Sequence, residues 1–395
     1  MPQPHSQLTR RIAIIVNEVS GDQLAAALIE ALRHKAPDLV FEGMTGPLMQ
    51  QSGCHSLAVM DPVMGLVEVL GHLPKLLNTR RRLAKYFLNN PPDLVLGVDA
   101  PDFNLALEAQ LKAAGIPTAH FVSPTVWAWR QGRVKKLQRA VDLMLCIFDF
   151  EVDFLKRHQV PAVYVGHPMA DQIPMPVQDP IPVRLELRLE SKAPVIALLP
   201  GSRMSEVNRL GESFIQTAAW LKQRRPGLQF VAPMVNQRIK QTFQEQIEAI
   251  SPGLSIELLD AQPRQAIIAA DVVLTASGTA TLETLLLKRP MVVAYRVSPM
   301  TAWLIRKFDL LKTPYVAIAN LLSKRMLAPE FLQEACRPEI MGQALLDFLD
   351  NAQRREEVAY CYQEIHQQLR RDSANQAAEA ILQLLELRRL QRPTD

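Results

Sequence analysis

Short apolar runs alternate with amphipathic stretches along almost the whole chain, and this alternation restricts the fold more than any other feature. The β-branched run 12–16 predicts a strand buried on both faces, and the leucine spacing in 23–34 predicts a helix. Further strands are predicted at 93–98, 117–122, 141–148, 195–199, 229–232, 271–275 and 291–294, and further helices at 105–114, 204–222 and 279–287. Strands and helices in alternation predict an α/β fold with parallel sheets.

A proline-rich stretch at 168–182 interrupts the alternation. Proline disfavours helix interiors and central strands, so we interpret this stretch as a semi-rigid connector. The pattern then restarts, which predicts two doubly wound, Rossmann-like domains with a cleft between them. We place the first domain at 1–170 and the second at 171–372. The helical segment 373–390 is expected to pack back on the first domain or on a partner subunit.

Composition excludes several classes of protein. Of 395 residues, 48% are hydrophobic and 21% are charged, which argues against a mostly disordered chain. The net charge of +4 suits anionic substrates or a membrane surface and is too small to indicate nucleic acid. We see no secretory signal and no run of about 18 uncharged apolar residues that could span a bilayer. The four scattered cysteines are expected to be cytosolic thiols.

The first candidate site follows the first predicted strand and reads Asn17-Glu18-Val19-Ser20-Gly21-Asp22. Ligands of open α/β sheets bind outside the carboxyl ends of strands, where this segment lies. Ser20 or Asp22 could also cap a helix that opens near Gln23, but a cap does not explain Glu18. The segment lacks the glycine pattern of a dinucleotide-binding loop, which disfavours a dehydrogenase.

A second candidate site, Gly97-Val98-Asp99-Ala100-Pro101-Asp102-Phe103-Asn104, also follows a strand. Its carboxylates, Asp99 and Asp102, could supply a general base and a group that orients it. Alternatively, Asp102 or Asn104 caps the next helix, which leaves Asp99 unexplained at the strand exit. We therefore favour a functional role for Asp99.

Two further segments of the first half have both a functional and a packing interpretation. Ser123-Pro124-Thr125-Val126-Trp127-Ala128-Trp129-Arg130 is an apolar loop followed by cations, and ordinary packing between domains would also explain it. The segment 61–77 contains Met64, Leu66, Val69 and Leu73 and leads into Arg80-Arg81-Arg82. It resembles an interfacial anchor or a site for acyl chains with phosphate partners, and the alternative is a core helix with a solvated basic end.

The second half contains two candidate anion sites, each where a strand gives way to a helix. In Leu199-Pro200-Gly201-Ser202-Arg203, Gly201 allows close approach of a ligand, Ser202 and the helix start offer donors, and Arg203 supplies a planar cation for a diphosphate. In Ser277-Gly278-Thr279-Ala280-Thr281-Leu282-Glu283, small and hydroxyl residues open the next helix. Glu283 lies about one turn further on, where its carboxylate could bind both hydroxyls of a ribose. A helix cap with a solvated glutamate is the alternative.

No metal site or cofactor is predicted. The eight histidines form no zinc-like spacing and the acidic residues form no cluster. Only His167, in Gly166-His167-Pro168 at the connector, lies where a site is conceivable, and a lone histidine is more often a structural hydrogen-bonding residue.

These motifs, taken in this order, resemble those of the lipid-A-disaccharide synthase family, inverting glycosyltransferases of GT-B architecture. The resemblance extends from about residue 10 to about residue 385. It implies a metal-independent transfer of 2,3-diacylglucosamine from UDP-2,3-diacylglucosamine to the 6-hydroxyl of 2,3-diacylglucosamine 1-phosphate, which gives a β-1,6-linked disaccharide and UDP. It also implies a cytoplasmic enzyme held peripherally at the inner membrane, and dimerisation through the C-terminal segment in some members.

The resemblance also implies roles for individual residues. Asp99 becomes the leading candidate for the general base, with Glu18 and Arg203 as further catalytic residues and Ser20 and Asp22 on the acceptor side. The predicted UDP-binding residues are Gly201, Ser202, Arg203, Ser277, Gly278, Thr279, Glu283, Asn320 and Gln333. The chain departs from the family pattern at Asn17, Thr45 and Ala319, which lie beside predicted site residues and bear on loop shape rather than on reaction class.

Two other functions are carried as alternatives. A UDP-N-acetylglucosamine 2-epimerase would share the two-domain fold and the nucleotide site but would use a water-soluble substrate. A non-catalytic UDP-sugar-binding protein would not need Asp99 and Glu18.

Overall fold

The computed structural model describes residues 10–60, 69–127, 131–307 and 313–390. They divide into two compact units. The first unit runs to Asp171 and resumes at Leu369, and the second unit spans Gln172–Gln368. The predicted boundaries after residues 170 and 372 lie close to these divisions.

The first unit is built on a parallel sheet with the strand order β3-β2-β1-β4-β5-β6-β7. Its strands are β1 (Arg11–Ile15), β2 (Val40–Thr45), β3 (His55–Val59), β4 (Leu94–Val98), β5 (Thr118–Phe121), β6 (Leu143–Cys146) and β7 (Ala162–Tyr164). Its helices are α1 (Val19–Lys35), α2 (Pro47–Gln51), α3 (Val69–Asn89), α4 (Pro101–Ala113), α5 (Val134–Ala140), α6 (Asp149–Arg157) and α7 (Pro168–Gln172), the last of which reaches the boundary.

The second unit repeats this architecture with the parallel strand order β10-β9-β8-β11-β12-β13. Its strands are β8 (Val195–Leu199), β9 (Gln229–Met234), β10 (Glu257–Asp260), β11 (Val272–Ala276), β12 (Met291–Tyr295) and β13 (Glu330–Leu332). Its helices are α8 (Pro180–Glu186), α9 (Met204–Arg224), α10 (Gln237–Ile250), α11 (Pro263–Ala269), α12 (Thr279–Leu286), α13 (Pro299–Lys307), α14 (Ile318–Ser323), α15 (Pro338–Asp350) and α16 (Ala352–Leu369).

The predicted α/β class with two parallel, doubly wound sheets is confirmed. The central strands β4, β8 and β11 are buried along their whole length, as continuous apolar runs require. In contrast, the proline-rich stretch, which we interpreted as a connector that disfavours helix, contains α7 and the start of α8. Both α7 and α8 begin at a proline, because the first turn of a helix needs no hydrogen bond from that nitrogen.

The final helix, α17 (Ser373–Leu390), belongs to the first unit and packs against α1 of its own chain. Ala377, Ala378 and Ile381 are completely buried in the core of that unit. Lys35 Nζ lies 2.8 Å from Glu379 Oε1, which adds an ion pair across the same contact. The helix start is held by Asp171, whose carboxylate accepts from the backbone N–H groups of Arg371, Asp372 and Ser373 at 3.0, 2.9 and 2.7 Å.

Within the described residues, we find no helix that is both long and apolar enough to cross a membrane.

Candidate functional site

The predicted catalytic residues of the first unit lie at the point where the strand order of its sheet reverses, between β1 and β4. From β1, one part of the chain proceeds to β2 and β3 and the other to β4 and β5, so the loops after β1 and β4 diverge. Ligands of doubly wound sheets bind in the crevice that such a divergence leaves. Glu18 follows β1 and Asp99 follows β4, and the topology therefore brings these two loops to one edge.

Ser20 and Asp99 are in contact across this crevice. Ser20 Oγ donates to Asp99 Oδ2 at 3.1 Å, and both side chains lie at the surface. Gly21 permits the approach, because a Cβ on it would lie 3.3 Å from Val98 O. Helix α1 begins at Val19 with Glu18 at its N-cap, so the alternative that Ser20 or Asp22 caps a helix opening near Gln23 is wrong.

Asp22 is almost completely buried and points away from this contact. Its two carboxylate oxygens accept from Leu48 N and Met49 N, each at 3.0 Å, and so stabilise the start of α2. Its carboxylate is thus engaged with the chain itself, and its part in acceptor binding stays a prediction.

The backbone passes through the left-handed region at Asp99 and Ala100, whose φ angles are 55° and 42°. Aspartate tolerates this region, whereas alanine seldom adopts it, so the backbone strain lies at Ala100. Asp99 Oδ1 accepts from Ala100 N at 2.9 Å, which orients the carboxylate. Helix α4 begins at Pro101 with Ala100 at its N-cap, so the alternative that Asp102 or Asn104 is the cap is wrong.

A cavity of about 340 Å³ opens beside Asp99 and is lined by Asp99, Pro101, Asp102, Val122, Ser123, Pro124, Thr125, Val126 and Arg133. Most of its wall comes from the loop after β5, which the sequence analysis singled out. Asp102 is largely exposed and lies 3.2 Å from Arg133 Nη2. The cavity therefore presents one oriented carboxylate beside an ion pair.

Trp127, in the same loop, packs inside the first unit. Its Nε1 donates to Glu151 Oε1 at 3.2 Å, and its ring meets Phe150 edge to face at 4.7 Å. Burial raises the pKa of Glu151 to about 8, against hydrogen bonds that lower it. Trp127 thus has a packing role within the first unit rather than the packing between domains given as the alternative, and Trp129 and Arg130 lie outside the described residues.

The predicted lipid-binding segment is only partly described. Met64 and Leu66 lie outside the described residues, and so do the side chains of Val69 and Leu73 on α3. Further along α3, Leu83, Ala84 and Phe87 are buried in the core, whereas Arg81 and Arg82 are exposed. The described part of α3 is therefore a core helix with a basic outer face.

The second unit has the same kind of crevice, here between the loops after β8 and β11. Gly201-Ser202-Arg203 follows β8 and Ser277-Gly278 follows β11, so the two predicted anion sites lie at neighbouring strand ends. Arg203 projects into solvent, with 63% of its side chain exposed.

The backbone donors of the first of these loops are already engaged. Glu206 Oε2 accepts from Ser202 N at 2.9 Å and from Arg203 N at 3.2 Å. A Cβ on Gly201 would lie 2.4 Å from Glu206 Cβ, so glycine is needed there. Glu206 was not predicted. A glutamate three residues after the N-cap Arg203 is nevertheless a signal for a side chain that accepts from the backbone at the helix start.

Helix α12 begins at Thr279, as predicted, with Gly278 at its N-cap. Glu283 Oε1 accepts from Arg264 Nε at 2.8 Å, and 13% of the Glu283 side chain is exposed. Arg264, on α11, was not predicted, because it is distant from Glu283 in the sequence and no local pattern indicates the contact. The pair leaves Glu283 ion-paired at the edge of the crevice.

The last two predicted UDP-binding residues support the chain segment around β13. Asn320 is completely buried, donates to Ala328 O and Glu330 Oε1 at 2.7 Å, and accepts from Leu327 N and Ala328 N. The Gln333 amide faces Val297, with oxygen accepting from Val297 N at 3.0 Å and nitrogen donating to Val297 O at 3.3 Å. Their roles toward UDP stay predictions.

His167 is a structural residue. Its Nδ1 accepts from Met169 N at 3.1 Å, its ring lies against Phe148, and burial lowers its pKa to about 4. In the part of the chain that the structure describes, no three histidine, cysteine, aspartate or glutamate side chains group as a metal site.

Comparison with known proteins places most of the chain within one family. A family described as "Lipid-A-disaccharide synthetase" matches residues 12–385. The lipid-A-disaccharide synthase of Hahella chejuensis is 45% identical over 385 residues, which cover 97% of this chain and 96% of that protein. The lipid-A-disaccharide synthase of Pseudomonas aeruginosa (strain UCBPP-PA14) is 46% identical over 380 residues, with 96% and 99% covered.

Among solved structures, a glycosyltransferase from Rickettsia africae aligns with a TM-score of 0.58 at 10% identity, over 96% of this chain and 98% of that chain. The UDP-GlcNAc 2-epimerase from Neisseria meningitidis aligns with a TM-score of 0.62 at 11% identity, over 95% and 100%. At such identities the likeness shows the GT-B fold alone and does not favour an epimerase over a transferase.

Proposed function

The chain belongs to the lipid-A-disaccharide synthase family, and on that premise we propose that it transfers 2,3-diacylglucosamine from UDP-2,3-diacylglucosamine to the 6-hydroxyl of 2,3-diacylglucosamine 1-phosphate. The products are the β-1,6-linked disaccharide 1-phosphate and UDP. The observation that carries this proposal is the contact between Ser20 and Asp99 at the strand ends of the first unit. In this contact, a carboxylate oxygen of Asp99 accepts a hydrogen bond from a hydroxyl group at the crevice. The 6-hydroxyl of the acceptor sugar would donate to the same carboxylate.

In this proposal, Asp99 is the general base. The acceptor oxygen attacks the anomeric carbon of the donor while the bond from that carbon to the diphosphate breaks. The hydroxyl proton passes to Asp99 as the new bond forms. The base therefore prevents positive charge from building up on the attacking oxygen in the transition state. The hydrogen bond from Ala100 N fixes Asp99 Oδ1, and Oδ2, which accepts from Ser20 Oγ, has a second lone pair for the acceptor hydroxyl. Glu18 and Ser20 line the acceptor side.

The second unit binds the nucleotide in this proposal. Negative charge grows on the leaving diphosphate, and Arg203 is the exposed cation of the loop after β8 that would stabilise it. The helix start at Ser277, Gly278 and Thr279 provides further donors. Glu283 would bind the ribose hydroxyls, and Asn320 and Gln333 would hold the surrounding segment.

The acyl chains require a lipid-facing surface, which we assign to Met64, Leu66, Val69 and Leu73. The exposed Arg81 and Arg82 on the same helix would meet phosphates of the substrate or of the inner membrane, so the enzyme would lie peripherally on its cytoplasmic face. Replacement of Leu66 or Val69 by aspartate should then lower binding to anionic liposomes without a change in melting temperature. Replacement of the exposed Leu185, on α8 of the second unit, by aspartate gives a matched control for an apolar residue elsewhere.

Dimerisation through the C-terminal segment also belongs to the proposal. Helix α17 packs on its own first unit, and its exposed residues Leu387 and Leu390 are available to a second copy. Sedimentation velocity of the wild-type protein and of Leu387→Glu measures this directly, and a purely monomeric wild type would contradict it.

Mass spectrometry of the products tests the reaction. Incubation with both diacyl sugars should give a disaccharide 1-phosphate and one UDP per disaccharide. Incubation with UDP-N-acetylglucosamine alone should give no 2-epimer. An epimerised product, or UDP-sugar binding without turnover, would support one of the two alternative functions instead.

A further inference from the structure

Three polar side chains converge on the backbone of Gly97, two residues before Asp99. Asn104 and Glu108 come from α4 and His120 comes from β5, and all three are buried. A Cβ on Gly97 would lie 2.1 Å from Glu108 Oε1, 2.9 Å from Asn104 Cβ and 3.0 Å from His120 Nδ1. The space that a side chain at position 97 would fill is therefore occupied by this polar cluster.

Asn104 connects the two strand ends that bound the crevice. Its Nδ2 donates to Asp99 O at 2.8 Å and lies 3.3 Å from both Val98 O and Ile15 O. Ile15 is the last residue of β1, and the loop after it leads into the first turn of α1, which carries Ser20. One amide group therefore holds the residue proposed as base and the strand that leads to its hydroxyl partner.

Glu108 attaches the same helix to the same strand. Its Oε1 accepts from Gly97 N at 3.1 Å and lies 2.8 Å from His120 Nδ1. His120 is the direct neighbour of Gly97 in the parallel register of β4 and β5. The glutamate and the histidine thus fix one turn of α4 against β4, one turn beyond Asn104.

This cluster is not arranged for stability alone. Asn104 Oδ1, Glu108 Oε2 and His120 Nε2 are buried and have no hydrogen-bond partner among the described residues. Buried polar atoms without partners destabilise a fold, and apolar side chains of similar size would avoid this cost. Departures of this kind are expected where position matters more than stability.

We propose that Asn104 is a positioning residue for transfer, acting by holding Asp99 in its left-handed conformation, with Glu108 and His120 keeping α4 in place behind it. The inference rests on the proposed role of Asp99 as general base. It assigns Asn104 no contact with substrate.

The test is a double-mutant cycle between Asn104 and Asp99. Asn104→Leu should lower kcat roughly 10-fold to 100-fold, since a misplaced base loses that much, and should leave the Kd for UDP unchanged. In an Asp99→Asn background, the same substitution should have almost no further effect on residual turnover, because the group that it positions is already lost. We also expect the pH profile of log kcat to be shifted in Asn104→Leu relative to the wild-type protein.

The control is Asn236→Leu, which removes a structural asparagine that accepts from Ile239 N at 2.9 Å at the start of α10. It should lower the melting temperature and leave kcat per folded molecule unchanged. Should Asn104→Leu not fold, Asn104→Ser and Glu108→Gln are judged by the same cycle. An equal loss of kcat in both backgrounds, or no loss in either, would overturn the positioning role. Full activity of Asp99→Asn alone would overturn the base assignment instead.

Discussion

Ser20 Oγ and Asp99 Oδ2 lie 3.1 Å apart, which joins the first turn of α1 to the residue after β4. The other oxygen of Asp99 accepts from Ala100 N, and the left-handed backbone is held by Asn104. The carboxylate is thus oriented before any substrate arrives, which avoids reorganisation at the moment of reaction. Four predictions test the roles derived from this and the related contacts.

Asp99→Asn should lower kcat by about 10²-fold to 10⁴-fold, because the amide cannot accept the acceptor proton. The Kd for UDP, measured by calorimetry, should stay unchanged, since UDP binding is assigned to the second unit. Asp38→Asn, which changes an exposed aspartate of the same unit, is the matched control and should retain wild-type turnover. Near-normal kcat in Asp99→Asn would remove Asp99 from its role.

Arg203→Ala should weaken UDP binding by about 10-fold or more, because hydrogen bonds to a charged group typically contribute about 1.5–3 kcal/mol. Glu206→Gln should instead strengthen UDP binding, because it removes a negative charge 3.4 Å from the Arg203 guanidinium. Arg225→Ala, at the other end of α9, is the control. Equal UDP affinities in all four proteins would contradict the diphosphate assignment.

Glu283→Gln should weaken binding of UDP several-fold, because a carboxylate is a stronger acceptor for ribose hydroxyls than an amide. The loss should disappear with 2′,3′-dideoxy-UDP, which lacks the hydroxyls, and calorimetry with the two nucleotides compares them directly. Arg264→Ala should resemble Glu283→Gln, because Arg264 holds that carboxylate at 2.8 Å. The same loss with both nucleotides would place the effect of Glu283 elsewhere than at the ribose.

Between about pH 4.5 and 8, the stability of the first unit should depend on the protonation of Glu151. Burial raises the pKa of Glu151 to about 8, so the folded protein keeps a proton that the unfolded chain releases, and the free energy of unfolding falls as the pH rises. His167, with a pKa lowered to about 4, acts in the opposite direction only below about 6.5.

Urea denaturation between about pH 6.5 and 8 therefore isolates Glu151. The slope should reach at most about 1.4 kcal/mol per pH unit in the wild-type protein and should be absent in Glu151→Gln. Glu257→Gln, which changes an exposed glutamate, should keep the wild-type slope. An unchanged slope in Glu151→Gln would contradict the raised pKa.

The interior strands other than β2 could be predicted from the sequence, whereas β2 and the edge strands could not. Strand β8 has the predicted bounds because all of its residues are apolar and buried. Strand β2 contains Glu42, which is buried beside Arg11 at 3.2 Å, and strand β3 is only partly buried. Neither gives the continuous apolar run that identifies a central strand.

The starts of α1 and α4 were predicted too late, near residues 23 and 105, whereas those of α9 and α12 were predicted correctly. Helices α1 and α4 begin at Val19 and Pro101, several residues before the apolar spacing becomes regular. Ser20 therefore lies in the first turn of α1, whereas Asp99 lies between β4 and the N-cap of α4. Glu206, Arg264 and His120 were missed because each acts through a partner that is distant in sequence or through a cap.

Helix α17 bears on the order in which the protein can fold as it leaves the ribosome. This helix supplies Ala377, Ala378, Ile381 and Leu385 to the core of the first unit, although more than half of the chain separates it from α1. The nascent N-terminal portion must therefore wait with that apolar surface uncovered, while Gln172–Gln368 is contiguous and can complete its core earlier. During translation, the second unit can therefore complete its core before the first unit does, although the first unit begins to be synthesised earlier.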